Sequence, residues 1–187
     1  DGEGARDDSE HLKKTRKNNS ISALSCLGVK EEDVVFCDFP DNQMDSVPLL
    51  TITKVIEKFA SKVKPSLVYT HHNGDLNIDH MITHRAVMTA FRPLPNQSVK
   101  AIYGFEILSS TGWSTTTAEN AFIPQHYVDI NSFWNKKCQA LEKYQSEIRA
   151  FPHARSLEAA QALAVHRGSI IGLEKAEAFI VLRQIID

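Results

Sequence analysis

Histidines and acidic residues are concentrated between positions 71 and 84 of this chain. Four of its eight histidines and two of its aspartates fall within these fourteen positions. Imidazole and carboxylate groups are usual protein ligands of zinc and similar divalent ions. The cluster therefore indicates a candidate site for a divalent metal ion. Its members are His71, His72, Asp75, Asp79, His80 and His84.

Within this cluster, His80 is the residue predicted to bind the metal, because acidic and amide side chains stand beside it in the sequence. The other histidines have ordinary alternatives. His71 and His72 end an apolar segment, where one of them would simply hydrogen-bond the backbone. His84 shares a helix face with His80 and is predicted to pack or to orient neighbouring groups.

The elements around the cluster place it at the end of a strand. Residues 67–70 form a short apolar run that predicts a buried strand, and residues 34–37 form another. Asp41 follows the apolar run of residues 34–37, in a turn-prone stretch. Asp79 is predicted to cap a helix over residues 80–92. Ligands of α/β proteins bind beyond the carboxyl ends of parallel strands, and both Asp41 and the histidine cluster are predicted to lie there.

Alternating apolar runs and amphipathic segments favour an α/β fold with a mostly parallel sheet, in a single domain over residues 1–187. Further helices are predicted over residues 8–27, 50–63, 133–149 and 157–166. Further strands are predicted over residues 99–107, 122–130 and 177–186.

The composition excludes several classes of protein. Hydrophobic residues make up 42% and charged residues 24%, and the net charge is −2, so nothing indicates nucleic-acid binding. No run of about 18 apolar residues predicts a membrane span. The three cysteines are far apart and lack C-x-x-C spacing, which favours reduced thiols and a cytoplasmic location.

The segment Gly74-Asp75-Leu76-Asn77-Ile78-Asp79-His80 resembles the second metal motif of the LmbE/PIG-L family of zinc-dependent N-deacetylases. Other segments resemble the family in the same order, so the resemblance covers essentially the whole chain. It implies a Rossmann-like fold with helices on both faces of the sheet. It also implies removal of acetyl groups from N-acetylated amino sugars. The other matching segments are residues 1–6, 27–29, 39–41, 106–113, 152–156 and 176–179.

The resemblance also implies how zinc would be held. Family members use two residues of an N-terminal Ala-His-Pro-Asp-Asp-Glu motif and the histidine that matches His80. The 187 residues lack this motif, whose first aspartate is the usual general base. We therefore expect the strand, helix and strand that carry it to be missing upstream of Asp1, and the chain by itself to be inactive. Zinc is the expected metal, and other divalent ions stay open.

For catalysis, the resemblance points to Asn77 and Asp79. Many members carry a histidine at the position of Asn77, where it assists the oxyanion or the leaving group. An asparagine can donate a hydrogen bond but cannot act as an acid, so His71, His72 and His153 are candidates for proton delivery. Asp79 is expected to orient its neighbours.

For substrate binding, Arg16 and Asp41 match positions that contact the sugar in the family. Asp41 would accept hydrogen bonds from hydroxyl groups, and Arg16 would pair with a phosphate or carboxylate. His153 and Arg155 would meet an anionic group of the substrate. The ordinary alternatives are a turn aspartate, a surface arginine and the capping of the helix that begins at Leu157.

Two further readings compete with the N-deacetylase. One is a truncated, non-catalytic homologue that acts as a binding or assembly subunit. The other is a different metal-dependent amidohydrolase. The expected partner is an N-acetylated sugar substrate, with no nucleic acid and no membrane span, and homo-oligomerisation stays open. A targeting signal also stays open, because the chain does not open like a natural start.

Overall fold

The computed structural model describes residues 10–186 and shows five α-helices and four strands in that range. Short 3-10 turns, including Met44–Ser46 and Thr111–Trp113, lie between them. The helices are α1 (Glu10–Cys26), α2 (Leu49–Val63), α3 (Ile78–Ala90), α4 (Trp134–Leu141) and α5 (Leu157–Ser169). The strands are β1 (Leu67–His71), β2 (Ala101–Phe105), β3 (His126–Asp129) and β4 (Ala176–Gln184).

The four strands form one sheet in the order β1-β2-β4-β3. β1 and β2 are parallel, with His71 opposite Phe105, whereas β2 and β4 are antiparallel. The predicted α/β class is therefore confirmed. The parallel arrangement holds for β1 and β2, so the carboxyl ends of these two strands lie at the same edge of the sheet.

The described residues fall into two compact units. The first contains residues 10–38 and 127–177, and the second contains residues 39–126 and 178–186. Compactness alone does not show that either unit folds independently, so the single domain expected from the sequence remains a prediction.

In the second unit, α2 and α3 cover the β1–β2 pair. Apolar residues recur along α2 at helical spacing, and their buried face packs against α3. Ile102 of β2 is fully buried at the centre of this core. The core packs α3 against β1. Its buried members are Val87, Ala90, Phe91, Val99 and Ile102, with a second group of Met44, Ile52 and Ala86.

In the first unit, α1 packs against α4, with Ala23 and Ala140 buried. α1 ends before Gly28, whose φ of +86° is the left-handed conformation that commonly follows a helix. No helix within residues 10–186 is both long enough and apolar enough to cross a membrane.

Three predicted elements differ in the structure. Residues 34–37 form no strand, and Val35 and Phe36 are 52% and 38% exposed, because an apolar run becomes a strand only where a neighbour pairs with it. The helix predicted over residues 133–149 ends at Leu141 and continues as turns. Asn77, not Asp79, caps α3.

Candidate metal and active site

The candidate site is built on the connection between β1 and α3. The backbone N–H of His72 donates to the carbonyl of Phe105 at 3.1 Å, which extends the β1–β2 pairing by one residue. The chain then turns, and Asn77 starts α3 by accepting a hydrogen bond from the Asp79 N–H at 2.8 Å. An asparagine in this position satisfies a donor that the first helical turn leaves unpaired. His80 consequently lies in the first turn of α3.

The side chain of His80 is held by Asp75. His80 Nδ1 lies 3.0 Å from Asp75 Oδ1 and 3.3 Å from Ser110 Oγ. The imidazole is only 20% exposed, and the Asp75 side chain is fully buried. The Nδ1 edge of His80 is thus committed to protein contacts, and Nε2 is the nitrogen left to bind a ligand.

Asp75 is itself held by three further donors. The Asn77 N–H donates to Oδ1 at 2.8 Å, and the hydroxyls of Ser110 and Thr111 donate to Oδ2 at 3.0 and 2.6 Å. Burial acts to raise the pKa of this carboxyl, but the hydrogen bonds from His80, Thr111 and Asn77 outweigh it and lower the pKa to about 2. Asp75 is therefore ionised at neutral pH.

These contacts were not predicted from the sequence. The sequence places Asp75 in the cluster of histidines and acidic residues but indicates no separate role for it. Ser110 and Thr111 belong to a Ser/Thr-rich segment that reads as a loop, far from His80 along the chain. Only the resemblance of residues 106–113 to a family segment could have pointed to them.

His71 lies against His80. The two imidazole rings stack with centroids 4.1 Å apart and planes 17° apart, and Phe105 flanks His71 at 4.7 Å. Nδ1 of His71 is buried and has no hydrogen-bond partner. Burial, and secondarily the charge of His80, lower the pKa of His71 to about 4, so this imidazole is neutral at pH 7.

The two remaining histidines of the cluster make structural contacts. His84 is buried, and its Nδ1 donates to the backbone carbonyl of His71 at 2.8 Å. His72 is also buried, with Nε2 donating to the Asn120 carbonyl at 2.9 Å and its ring edge-on to Phe122. Because its Nε2 is bonded to the backbone, His72 is poorly placed to deliver a proton.

Asp79 connects α3 to the turn that carries Asp41. Its carboxylate accepts the N–H of Asn42 at 2.6 Å and the N–H of Met44 at 2.9 Å. The charge also lies in the first turn of the helix, where the helix dipole favours an anion. Asp79 thereby fixes the backbone next to Asp41, so two residues predicted separately belong to one arrangement.

The oxygen and the nitrogen of the Asn77 side-chain amide have different roles. The carbonyl oxygen accepts the capping hydrogen bond from the Asp79 N–H. The amide nitrogen is then the end that remains to donate to a ligand, as expected from the sequence. The side chain is half-buried at the start of α3.

Three predicted substrate contacts lie in the first unit. Arg16 belongs to α1, and its carbonyl accepts the hydroxyl of Ser20. His153 Nδ1 accepts the backbone N–H of Arg155 at 3.0 Å, and the Arg155 guanidinium pairs with Glu147. The cap of α5 is Ser156, not either of these residues. Their roles toward a substrate remain predictions.

The contacts of His80 are those expected of a zinc ligand, and His80 is one such residue in this site. A histidine whose Nδ1 is held by a carboxylate and whose Nε2 is uncommitted has the usual arrangement of a zinc-bound imidazole. His71 does not complete a pair, because nearly parallel stacked rings aim their lone pairs side by side and not at one point. Within residues 10–186, no group of three or more His, Cys, Asp or Glu side chains could hold a metal ion.

Comparison with known proteins gives a family match in the same part of the chain. Residues 1–91 match the family model described as PIG-L, GlcNAc-PI de-N-acetylase. This range contains the histidine cluster, Asp41 and Asp79. Residues 1–9 of the match, including the acidic segment around Asp7, lie outside the described residues. No curated protein matches the chain.

Several solved structures have the same fold. The N,N'-diacetylchitobiose deacetylase of Pyrococcus horikoshii is 20% identical, with 97% of this chain and 69% of that chain covered and a TM-score of 0.70. A zinc-inhibited form of teicoplanin deacetylase is 19% identical, with 96% and 77% covered and a TM-score of 0.65.

A third structure of this fold has another activity. The 4-carboxy-2-hydroxymuconate hydratase of Pseudomonas putida is 18% identical, with 100% of this chain and 81% of that chain covered and a TM-score of 0.63. The fold therefore does not select one reaction, and the family assignment depends on the sequence match. That match is to the PIG-L, or LmbE-like, family of de-N-acetylases, and residues 1–91 make up just under half of the chain.

Proposed function

We propose that this protein uses zinc to hydrolyse the N-acetyl group of an N-acetylated amino sugar or sugar conjugate. The observation that carries the proposal is the geometry at His80. Its Nδ1 is held by the buried Asp75 carboxylate at 3.0 Å, which leaves Nε2 as the nitrogen for a metal. The family description and two deacetylases of the same fold support the reaction class.

The residues of this chain would perform distinct tasks in that reaction. Zinc, when bound, would acidify a water molecule and polarise the acetyl carbonyl. His80 would hold the ion through Nε2. The amide nitrogen of Asn77 would donate a hydrogen bond to the oxygen that becomes negatively charged. Asp79 would keep the Asp41 turn against α3, where Asp41 would accept hydrogen bonds from sugar hydroxyls.

Neutral His71 fits a second donor role. An imidazole with a pKa of about 4 is uncharged at neutral pH, so it would donate a hydrogen bond without giving up a full proton. Since its Nδ1 is buried without a partner, Nε2 is the nitrogen through which it would act. This assigns oxyanion stabilisation to His71 in preference to acid catalysis.

The proposal extends to the substrate and the location of the protein. We place Arg16, His153 and Arg155 at an anionic part of the substrate, and we propose a cytoplasmic location without nucleic-acid partners. Metals other than zinc would serve if they accept an imidazole ligand.

The test is acetate release from N-acetylglucosamine derivatives. A protein expressed from the complete open reading frame that encodes this chain should release acetate with added Zn²⁺ and lose the activity on chelation. The 187-residue chain alone should release little, because a single expected protein ligand would hold zinc weakly. Robust zinc-dependent release by the 187 residues would contradict the assumed ligand set.

The competing functions give different results in the same experiment. A non-catalytic homologue would bind N-acetylated sugars but release no acetate with any metal. A different amidohydrolase would release a carboxylic acid from other amides and leave N-acetyl sugars intact. A hydratase, like the Pseudomonas protein of the same fold, would add water to a carbon–carbon double bond with no acid released.

A further inference from the structure

We propose that Asp75 is a positioning residue, which fixes His80 as the Nδ1–H tautomer and thereby presents the Nε2 lone pair to a metal. The role of Nε2 rests on the proposed function, but the tautomer of His80 does not. Asp75 lies on the loop before α3 and touches neither substrate nor metal in this arrangement. It would act entirely through His80.

The tautomer follows from the chemistry of the contact. Oδ1 of Asp75 accepts the Asn77 N–H and Oδ2 accepts the hydroxyls of Ser110 and Thr111, so this carboxyl group is placed as an acceptor and the His80 nitrogen 3.0 Å from Oδ1 is the donor. Ser110 Oγ, 3.3 Å from the same nitrogen, donates its own proton to Asp75 Oδ2 and can only accept from His80. Both neighbours therefore require a proton on Nδ1.

Asp75 is unable to rotate away from His80 without losing several hydrogen bonds. Oδ1 accepts the Asn77 N–H as well as His80, and Oδ2 accepts the hydroxyls of Ser110 and Thr111. Both oxygens are saturated, and the side chain has no exposed area. A buried charge that is paired and fully hydrogen-bonded is expensive to disturb.

The donors to Asp75 are themselves anchored to the carboxyl end of β2. Thr111 Oγ1 accepts the N–H of Ile107 at 2.8 Å, and the N–H of Thr111 donates to the Ile107 carbonyl at 2.8 Å. The 3-10 turn at Thr111–Trp113 consequently ties the segment after β2 to the loop after β1. Asp75 is the point at which the two segments converge on His80.

The ring of His80 is also restricted on its face. His71 stacks on it at 4.1 Å, so a rotation that exchanged Nδ1 and Nε2 would have to break the stack as well as the Asp75 contact. The Asp75 carboxylate has a second effect. Its negative charge lies next to the Nδ1–H group of His80 and makes Nε2 of the same ring a stronger electron donor. Loss of a group that hydrogen-bonds a metal-binding histidine typically lowers metal affinity about 10–100-fold.

The experiment separates charge from geometry with two variants of the 187-residue chain. Asp75→Ala removes the acceptor, whereas Asp75→Asn keeps an oxygen at the Oδ1 position and loses the charge. Asp45→Ala is the matched control, because it removes an exposed carboxylate from the same unit. Ring ¹⁵N chemical shifts of His80, assigned with His80→Gln, identify the protonated nitrogen in the metal-free protein.

We expect His80 to be the Nδ1–H tautomer in the parent chain, in Asp75→Asn and in the control. In Asp75→Ala it should become a mixture of tautomers. A titration with Zn²⁺ alone, followed by the same signals, should show weaker binding in both Asp75 variants. The loss should be about 10–100-fold for Asp75→Ala and smaller for Asp75→Asn.

An unchanged Nδ1–H tautomer in a folded Asp75→Ala variant would overturn the proposal. So would a parent chain in which Nε2 carries the proton. If Asp75→Ala fails to fold, Asp75→Asn still tests the proposal. An unaltered Zn²⁺ affinity in Asp75→Asn would exclude an effect of the Asp75 charge. If the tautomer responds as expected but no acetate is released by the complete protein, the proposed function fails while the positioning role stands.

Discussion

At the scale of single residues, the acidic side chains of the site differ in what they contact. Asp75 holds the His80 imidazole, and Asp79 holds the backbone of Asn42 and Met44. Asp41 lies directly before Asn42 in that same turn. On the proposed function, Asp75 would affect the metal ligand His80, Asp79 would affect the turn at Asn42, and Asp41 would contact the substrate, so substitutions at each position should have separable effects.

The first prediction compares His80→Ala with Asp41→Ala in the complete protein. His80→Ala should lose bound metal and activity together, because it removes a ligand. Asp41→Ala should retain the metal and lower kcat/KM, with roughly 2–3 kcal/mol of transition-state stabilisation lost if a charged hydrogen bond to the sugar is removed. Elemental analysis and kinetics on the same preparations measure both effects.

Two results would contradict these assignments. Stoichiometric zinc in His80→Ala would move the ligand role to another member of the cluster. Zinc loss in Asp41→Ala would make Asp41 part of the metal site instead of a sugar contact.

A second residue-scale prediction concerns His71 and acid stability. Its pKa is lowered from 6.5 to about 4 on folding, chiefly by burial. The neutral form of His71 is thus favoured in the folded state. Its contribution to the stability of the fold is fully present above pH 6.5 and is lost as the pH falls toward 4. The free energy of unfolding should drop by roughly 3 kcal/mol across that window because of His71.

The measurement is chemical denaturation of the 187-residue chain at intervals from pH 7 to pH 4. His71→Phe keeps a ring against His80 but cannot titrate, so its stability should fall less steeply with acid. Some slope should persist, because burial also lowers the pKa of His84. His166→Gln, at an exposed position, is the control, and equal slopes for His71→Phe and the parent would refute the prediction.

At the scale of elements, the start of α3 combines a helix cap with a candidate hydrogen-bond donor. Asn77 uses its oxygen for the Asp79 N–H and leaves its nitrogen for a ligand. Asn77→Ala should lower the stability of the chain by about 1 kcal/mol through loss of the cap. Asn77→Asp should retain the cap but lose the donor, so stability and activity should separate.

Thermal unfolding of the 187-residue chain and kcat of the complete protein measure this separation. The proposed donor role predicts that Asn77→Asp unfolds near the parent temperature but turns over slowly. Full activity in that variant would assign Asn77 to capping alone.

A second element-scale prediction concerns the contact between the loop after β1 and the segment around Asn120. A Cβ at Gly74 would lie 2.5 Å from the Asn120 Cα and 2.6 Å from its carbonyl oxygen. Gly74→Ala should therefore displace the backbone and disturb the His72 bond to the same carbonyl, at a cost of about 1–3 kcal/mol.

Gly112→Ala is the matched control, because a Cβ there meets no atom within 4 Å. The two variants should differ in midpoint temperature by several degrees in the 187-residue chain. Equal stabilities would show that the loop adjusts without loss, and the close approach would then have no energetic role.

At the scale of the whole molecule, β1 lies at one end of the described sheet. Leu67 and Tyr69 on this strand are 42% and 45% exposed. An apolar edge strand is a template for pairing with another chain. The 187-residue chain should accordingly self-associate as its concentration rises, with β1 at the contact.

Sedimentation velocity over a range of concentrations tests this expectation. Leu67→Lys should shift the distribution toward monomer, because a charge at an edge opposes strand pairing. Leu94→Lys provides the control at a comparably exposed apolar position in a loop. A parent chain that stays monomeric throughout would contradict the prediction.

The sequence by itself determined the class of the fold and indicated where a candidate site lies. Helical spacing in α2 and the apolar run of β1 are local signals, and they predicted both elements closely. The crowding of histidines and aspartates after β1, together with a motif carried by consecutive residues, indicated the family and singled out His80. All of these features can be read within a short stretch of chain.

Only the tertiary structure decided which side chains meet. Ser110 and Thr111 reach Asp75 from about 35 residues away along the chain, and Asp79 reaches Asn42 across a similar separation. Residues 34–37 have the composition of a strand but no partner strand, so they form no strand, and Val35, Phe36 and Cys37 are exposed. Hydrogen bonds to side chains and strand pairing depend on distance in space, and a sequence pattern encodes only the preference of each segment.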